Sequence, residues 1–406
     1  MLFLAFPHIS LYYKYYYNNI IYIYRETVNE RNKKMNFKCE KIPLLTAILT
    51  ASRATVAKSP IPLLEGLLLE TEEESVKITG YDLKTGIVTN VPAEIETAGG
   101  IVLNARLFGE IIRKMPDQYV TISVRSGSVA EISSSYSKFE IIGSPTSDYP
   151  ELPAVDEQDT IEISEAVLKK MISQTNFAVS DNESRPIHTG ALFETAEGEL
   201  TIVAVDGYRL ALRRETMEKA DIPEYSFVVP GAALAEVERI LSDGEGKVSL
   251  KLGMKHITFM IDDTMLISRR LEGEFLNYRN SIPGQTKYRI KAETEELIAA
   301  VERVSLIISD KLKSPVRCVF EEGLVKLHSA SALGKADDEC VIEGDGEGLE
   351  IGFNDKYLLE ALKAAPADEV FLELNSGVAP CIISPVDEVK NFLYMILPVR
   401  LKAYEG

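Results

Sequence analysis

Paired apolar residues four positions apart recur three times along the chain: Leu44-Leu45 with Ile48-Leu49, Val167-Leu168 with Met171-Ile172, and Leu297-Ile298 with Val301. That spacing predicts helices burying one face, and their first members lie 123 and 130 residues apart. Pro43 suits a first helical turn and Ser164 an N-cap. Downstream of each helix a short polar loop leads into an apolar strand, Gly66–Thr71, Gly190–Thr195 and Arg317–Glu321, at intervals of 124 and 127 residues. In the first two copies a further strand with an embedded aspartate follows, Thr79–Leu83 and Ala204–Tyr208, which sets Asp82 and Asp206 124 residues apart.

The second half of each unit repeats as well. Strand residues lead into a helix at Val102-Leu103-Asn104, Val228-Val229-Pro230 and Gly352-Phe353-Asn354, and Asn104 and Asn354 are good N-caps. Leu107, Phe108, Ile111, Ile112 and Met115 form one helical stripe that ends at Pro116. Alternating strands follow at Val120–Val124, Val248–Leu252 and Val370–Leu374. The reading is α+β: three tandem domains, each of two helices and about eight antiparallel strands, over residues 35–155, 160–283 and 287–402. The Pro- and acid-rich stretch Pro145–Glu157 reads as the first linker. Equivalent domains with both helices on one side bend into an arc, and a head-to-tail contact between two arcs closes a ring. Triplication without functional symmetry is the alternative.

The length of 406 residues agrees with about three domains. Lys+Arg 44 against Asp+Glu 62 leaves a net charge of -18, which repels polyanions, so any contact with DNA is local or topological. Cys39, Cys318, Cys340 and Cys381 stand far apart with no C-x-x-C pair, so no disulfide framework or zinc site is expected and a reducing cytoplasm fits. Residues 1–34 differ from the rest, with seven tyrosines between Tyr12 and Tyr24 and no acidic residue before Glu26. They suit neither a secretory signal nor a spanning helix. They read as a disordered extension or a misread start ahead of Met35, with a peripheral membrane anchor the lesser alternative.

Converging reactive groups are not found. Gly244-Glu245-Gly246-Lys247 lacks phosphate-loop spacing and falls where a hairpin turn is expected. His8, His188, His256 and His328 are isolated, and Asp337-Asp338-Glu339 cannot all face one cation. Asp206-Gly207-Tyr208-Arg209 reads first as a turn. No cofactor and no metal are expected. An acidic β-rich hydrolase working through Asp82 or Asp206 lacks a second carboxylate of matching context. A repeat-built peptide-binding adaptor that never encircles DNA is the other alternative.

Three segments carry a resemblance: Asp206-Gly207-Tyr208-Arg209-Leu210, Glu274-Phe275-Leu276-Asn277-Tyr278-Arg279 and Tyr394-Met395-Ile396-Leu397-Pro398-Val399-Arg400-Leu401. With Met35-Asn36-Phe37 at the start, their order and spacing resemble the bacterial DNA polymerase III beta subunits, the replication sliding clamps, from Met35 to Leu401. The resemblance implies a non-catalytic, cytoplasmic processivity factor without cofactor. It implies a head-to-tail homodimer in which twelve helices line a hole around double-stranded DNA, without sequence preference. Twelve helices about 9 Å apart give a circle ~35 Å across and an opening of ~25 Å, wide enough for a hydrated duplex. The candidate helices are close to neutral in a chain of -18.

It further implies phosphate contacts from Lys58, Asn182 and Arg185, with Arg106 and Arg113 on a helix as additional candidates. A cleft for short, partly apolar peptides of the replicative DNA polymerase catalytic subunit, the clamp loader and other clamp-binding proteins is implied between the second and third domains. By motif position it comprises His188, Val205, Gly207, Tyr208, Arg209, Leu210, Leu276, Val378, Met395, Ile396, Leu397, Pro398, Val399, Arg400 and Leu401, with the arginines orienting the peptide. His188 stands where the family pattern is apolar, Leu276 replaces a proline, Asn280 an arginine and Ser281 a valine, and five residues follow Leu401. At the dimer contact, Lys138, Phe139 and Ile141 would meet Leu306, Ile307 and Leu312, with Asp337, Asp338 and Glu339 as the acidic side.

Overall fold

A computed structural model of the chain describes residues 34–154, 159–217, 223–308, 314–344, 346, 348–387, 389 and 391–401. The expected extension before Lys34, residues 155–158 of the first linker, Leu312 and the tail after Leu401 lie outside them. Among the described residues, each third of the chain carries eight strands and two helices in one order: a strand, a helix, four strands, a helix and three strands. The helices are α1 (Lys41–Ala51), α2 (Ala105–Lys114), α3 (Glu165–Ser173), α4 (Gly231–Ile240), α5 (Thr294–Ser305) and α6 (Asp355–Ala364).

Local chemistry sets these boundaries. Asn104 and Asn354 cap α2 and α6 by accepting from Leu107 N (3.0 Å) and Tyr357 N (3.1 Å). Ser164 occupies the N-cap position of α3 without making a side-chain cap bond. The C-cap of α2 is Met115, directly before Pro116, which cannot continue a helix. Asp82 and Asp206 prove to lie just past their strands, each in a turn. Asp82 Oδ1 accepts Lys84 N and Thr85 N, and Asp206 Oδ1 accepts Tyr208 N and Arg209 N. In the third copy Ser331 Oγ takes this place by accepting Leu333 N (3.0 Å). The segment 244–246 is a helix-to-strand connection between α4 and Lys247–Leu252, not a hairpin turn. Strand register pairs Ala191 with Val229 and Val316 with Phe353, so the second-to-third offset at this strand is 125 residues and not 127.

The chain divides into two compact units, one running to Ala154 and including Asp262–Ile267, the other comprising Val155–Ile261 and Ser268 onward. In the first, α1 and α2 pack together over antiparallel sheet, burying Phe37, Leu44, Ile48, Leu67, Ile78, Phe108, Ile112 and Ile122. The second holds both the central and the C-terminal thirds because one ladder runs through them: Arg209–Thr216 lies antiparallel to Phe392–Ile396, with Arg209 opposite Ile396 and Leu210 opposite Met395. Leu397 N donating to Tyr208 O (2.8 Å) extends that ladder by one rung.

Candidate functional site

Side chains alternate across the shared ladder. On one face Leu210 and Leu212 join Met395, Leu393, Val205, Leu192, Val203, Val228, Tyr278 and Ile382 in an apolar cluster. Ile187, Leu271, Phe275 and Ile282 pack on it half-buried. On the opposite face Tyr394 reaches α6, its hydroxyl donating to Ala364 O (3.0 Å).

Over the cluster lies an open groove of about 480 Å³ lined by Arg185, Ile187, His188, Glu274, Phe275, Leu276 and Asn277. His188 meets Phe275 edge-on, with ring centroids 5.7 Å apart. Burial, and then the Arg185 charge, hold the His188 imidazole below its usual range, so the ring facing the groove is neutral at pH 7. A neutral imidazole can stand where an apolar side chain was expected. Tyr208 is exposed and stacks on Tyr357 of α6 at 6.3 Å and 25°. Gly207 beside it has φ +93°, and a Cβ there would meet nothing within 4 Å, so its role is conformational.

The segment Leu397–Leu401 continues from the shared ladder to the strand that holds Gly352. Val399 N donates to Gly352 O (2.8 Å), and a Cβ on Gly352 would come within 2.6 Å of Leu401 Cδ2. Of the expected cleft residues, Val205, Leu210 and Met395 are buried in the cluster, and Ile396 is buried outside it, on the Tyr394 face of the ladder. His188, Leu397, Pro398, Val399 and Leu401 are half-buried, and Tyr208, Leu276, Val378 and Arg400 are exposed. Arg209 differs from the expectation of a peptide-orienting arginine: it is buried and bonded to Asp206, Glu360 and Phe177 O. Ile187, Tyr357 and Glu360 join the site without any signal in the sequence. Arg209 and Glu360 are 151 positions apart, and nothing in the linear pattern connects them.

Arg185 occupies the N-cap position of the short Pro186–Thr189 turn, which carries it into the groove lining beside His188. Asn182 Oδ1 accepts Ser184 N in the preceding loop. Lys58 is exposed in the loop after α1, while Arg106 and Arg113 are exposed on α2, Arg113 pairing with Glu110 at 2.5 Å. The six helices carry nearly balanced charge.

Among the strand edges of the described residues, two bear on the expected dimer contact. Ser137–Ile142 ends its sheet, with exposed Phe139 and Ile142, half-buried Ile141, and Lys138 pairing Glu131 at 2.9 Å. Gly334–Glu343 pairs along its length with Leu324–Ser331, but on its other side only Ile342 and Glu343 meet Tyr288–Glu293. Leu306 is exposed, and the neighbouring Ile307 carbonyl accepts Ser331 Oγ (2.6 Å). Asp337 pairs with His328, Asp338 with Arg303, and Glu339 is exposed. Among the described residues no cluster of His, Cys, Asp or Glu could hold a metal ion, and no helix is long and apolar enough to cross a membrane. All four cysteines are buried and free, with burial pushing Cys39 and Cys318 up to about 12.

Three family models match consecutive stretches: the N-terminal domain of the DNA polymerase III beta subunit over residues 35–153, its central domain over 162–277 and its C-terminal domain over 279–400. A beta sliding clamp of Bacillus subtilis is 32% identical over 381 residues, spanning 90% of this chain and all of the relative. The crystal structure of a Bacillus subtilis sliding clamp superposes with a TM-score of 0.87 at 31% identity, over 91% of this chain and 100% of that one. A putative beta subunit from Eubacterium rectale superposes at 0.86 and 31% identity, over 90% and 99%. The order of elements, the three matched domains and the identity across nine-tenths of the chain agree, and the chain belongs to the DNA polymerase III beta subunit family, the bacterial sliding clamps.

Proposed function

We propose that two copies of this chain close head to tail around duplex DNA, and that the central-domain groove, over the apolar cluster shared with the C-terminal domain, holds peptides of the replicative polymerase catalytic subunit, the clamp loader and other clamp-binding proteins. The observation that carries the clamp reading is the match of all three domains in order. The family is one of non-catalytic processivity factors, and neither the hydrolase nor the DNA-free adaptor finds support. Asp206 supports a turn and a buried arginine rather than a reaction. The domain limits we adopt are 35–155, 160–283 and 287–402.

Ring closure follows from the internal repeat. Arg209–Thr216, the fourth strand of its copy, pairs with Phe392–Ile396, the eighth strand of the next. The strands left without such a partner are Gly334–Glu343, the fourth of the third copy, and Ser137–Ile142, the eighth of the first. Tracing each ladder from copy to copy makes Leu212 equivalent to Asp337, and Leu393 to Lys138. The same register between two protomers puts Asp337 opposite Lys138, Lys335 opposite Glu140, Ala336 opposite Phe139 and Leu333 opposite Ile142. Opposite charges meet opposite charges and apolar residues meet apolar ones, as cross-strand pairs require.

A ring held by topology needs little affinity for DNA. The test is to load the protein on nicked circular DNA and then linearise it: a clamp leaves through the free ends, whereas persistence on linear DNA counts against encirclement. Reversing Lys58, Arg106 and Arg113 to Glu leaves retention on closed circles intact but flattens the salt dependence of loading, by roughly 0.9 in log–log slope for each phosphate no longer neutralised. A failure of retention on closed circles at low salt would contradict this.

The groove predicts a pH effect. His188 is held below its ordinary range when folded, so its protonation is disfavoured there, and apolar peptide residues disfavour it further. Peptide affinity is therefore full at neutral pH and declines only as pH falls through the lowered range of His188. Titration calorimetry of wild type and His188→Gln across pH 5–8 checks this, the variant having the flatter profile. Equal profiles would remove His188 from the site.

A further inference from the structure

Arg209 belongs by sequence to the cleft, yet its side chain is only 8% exposed and its donors are spent inside the protein. Nε donates to Asp206 Oδ2 (2.8 Å), Nη2 to Phe177 O (2.6 Å) and Nη1 to Glu360 on α6. The guanidinium lies 4.4 Å from the Tyr357 ring centroid and 5.4 Å from that of Phe177. Asp206 in turn accepts the amides of Tyr208 and Arg209 with its other oxygen. The planar fork of arginine suits such a multi-directional joint, which a lysine cannot reproduce.

We propose that Arg209 is a positioning residue that sets the opening of the peptide cleft by clamping the Asp206–Tyr208 turn of the central domain to α6 of the C-terminal domain, and that Glu360 and Tyr357 therefore control partner affinity without touching the peptide through their carboxylate and hydroxyl groups. The proposal rests on the reading of the junction as a peptide cleft. Through the joint, Tyr208 is stacked on Tyr357, and burial, with the Asp206 charge behind it, keeps the Tyr357 hydroxyl protonated. Phe177 extends the network by resting edge-on against Tyr394 at 5.4 Å, and Tyr394 is tied to Ala364 O. The Asp206–Tyr208 turn and the strand Phe392–Ile396 are thereby tied to one helix. A preorganised site binds more tightly because less ordering remains to be done on binding.

The test is a cycle of Arg209→Met, Glu360→Gln and the double variant. It measures binding of the replicative polymerase catalytic subunit by surface plasmon resonance and amide exchange in 208–212 and 393–397 without any partner. Positioning predicts that each single change weakens binding about 10- to 100-fold, that the double variant is no weaker than the worse single one, and that exchange in both strands accelerates in all three. Arg209→Lys restores little. If Arg209 instead grips the peptide, Glu360→Gln frees the guanidinium, and binding stays equal or tightens while Arg209→Met still weakens it; that result overturns the proposal. Should Arg209→Met not fold, Glu360→Gln alone decides, since unchanged affinity with unchanged exchange is also fatal. Tyr208→Ala separates the two levels: if it leaves polymerase binding intact, the cleft reading fails, whereas accelerated exchange in Glu360→Gln tests the joint independently of it.

Discussion

Lys138→Glu combined with Phe139→Ala yields monomers. Phe139 is 41% exposed on an unpaired strand edge, an exposure that ring closure removes. Truncating such an apolar anchor costs about 2–3 kcal/mol at each interface, and a glutamate facing Asp337 adds on the order of 1–2 kcal/mol of like-charge repulsion. A two-membered ring contains the interface twice, so the penalties double, and the dissociation constant rises by about four orders of magnitude or more. Sedimentation equilibrium at micromolar protein reads the outcome directly, and an unchanged dimer mass would refute the assignment of this edge. The register gives a sharper control: Lys138→Glu alone weakens the dimer, and adding Asp337→Lys restores it. Failure of that exchange to restore the dimer would mean that the strands pair in another register.

Gly352→Val weakens partner binding while the ring persists. The equivalent positions in the first two repeats are Val102 and Val228, both buried, so the strand itself accepts valine. In the third copy Leu401 and the Val399 carbonyl occupy the space that a side chain on residue 352 would need, with closest approaches of 2.6 and 2.8 Å. Overpacking of this kind costs about 1–3 kcal/mol. The terminal segment, held by few bonds, is the part able to yield. Its displacement disturbs the rung between Leu397 and Tyr208 at the end of the shared ladder and lowers polymerase affinity by roughly 10- to 100-fold. Binding assays, with reduced protection at the Val399 amide, check this, and an unaltered affinity would show that the segment is not part of the cleft.

Much of the fold can be read from periodicity because each repeat must bury its own helix faces and strands locally. The capping residues Asn104 and Asn354 perform as their spacing predicts. Asp82 reads as a strand residue because a turn at a strand's end leaves the alternating pattern nearly intact, whereas the Asp206-Gly207 pair signals its turn directly, and in both places the side-chain bonds that define the turn depend on backbone geometry. The candidate cleft is legible only as far as its apolar walls and its motif positions. Arg209 exemplifies the remainder: its place in a motif suggests contact with a ligand, and its partners lie on a helix from another domain. Arg185 likewise reads as a charge on a loop until the following short turn brings it beside His188.

The sequence by itself determined the threefold repeat, the two helices and eight strands of each copy, the absence of a cysteine framework and the family, because these depend on local hydrophobic spacing, capping and motif order. Only the tertiary structure decided that the central and C-terminal copies share one ladder, that Gly352 yields its space to Leu401, and that Arg209 is consumed as a joint. Those outcomes depend on side chains far apart in the chain competing for the same volume and the same hydrogen-bond partners, a competition that no one-dimensional pattern records.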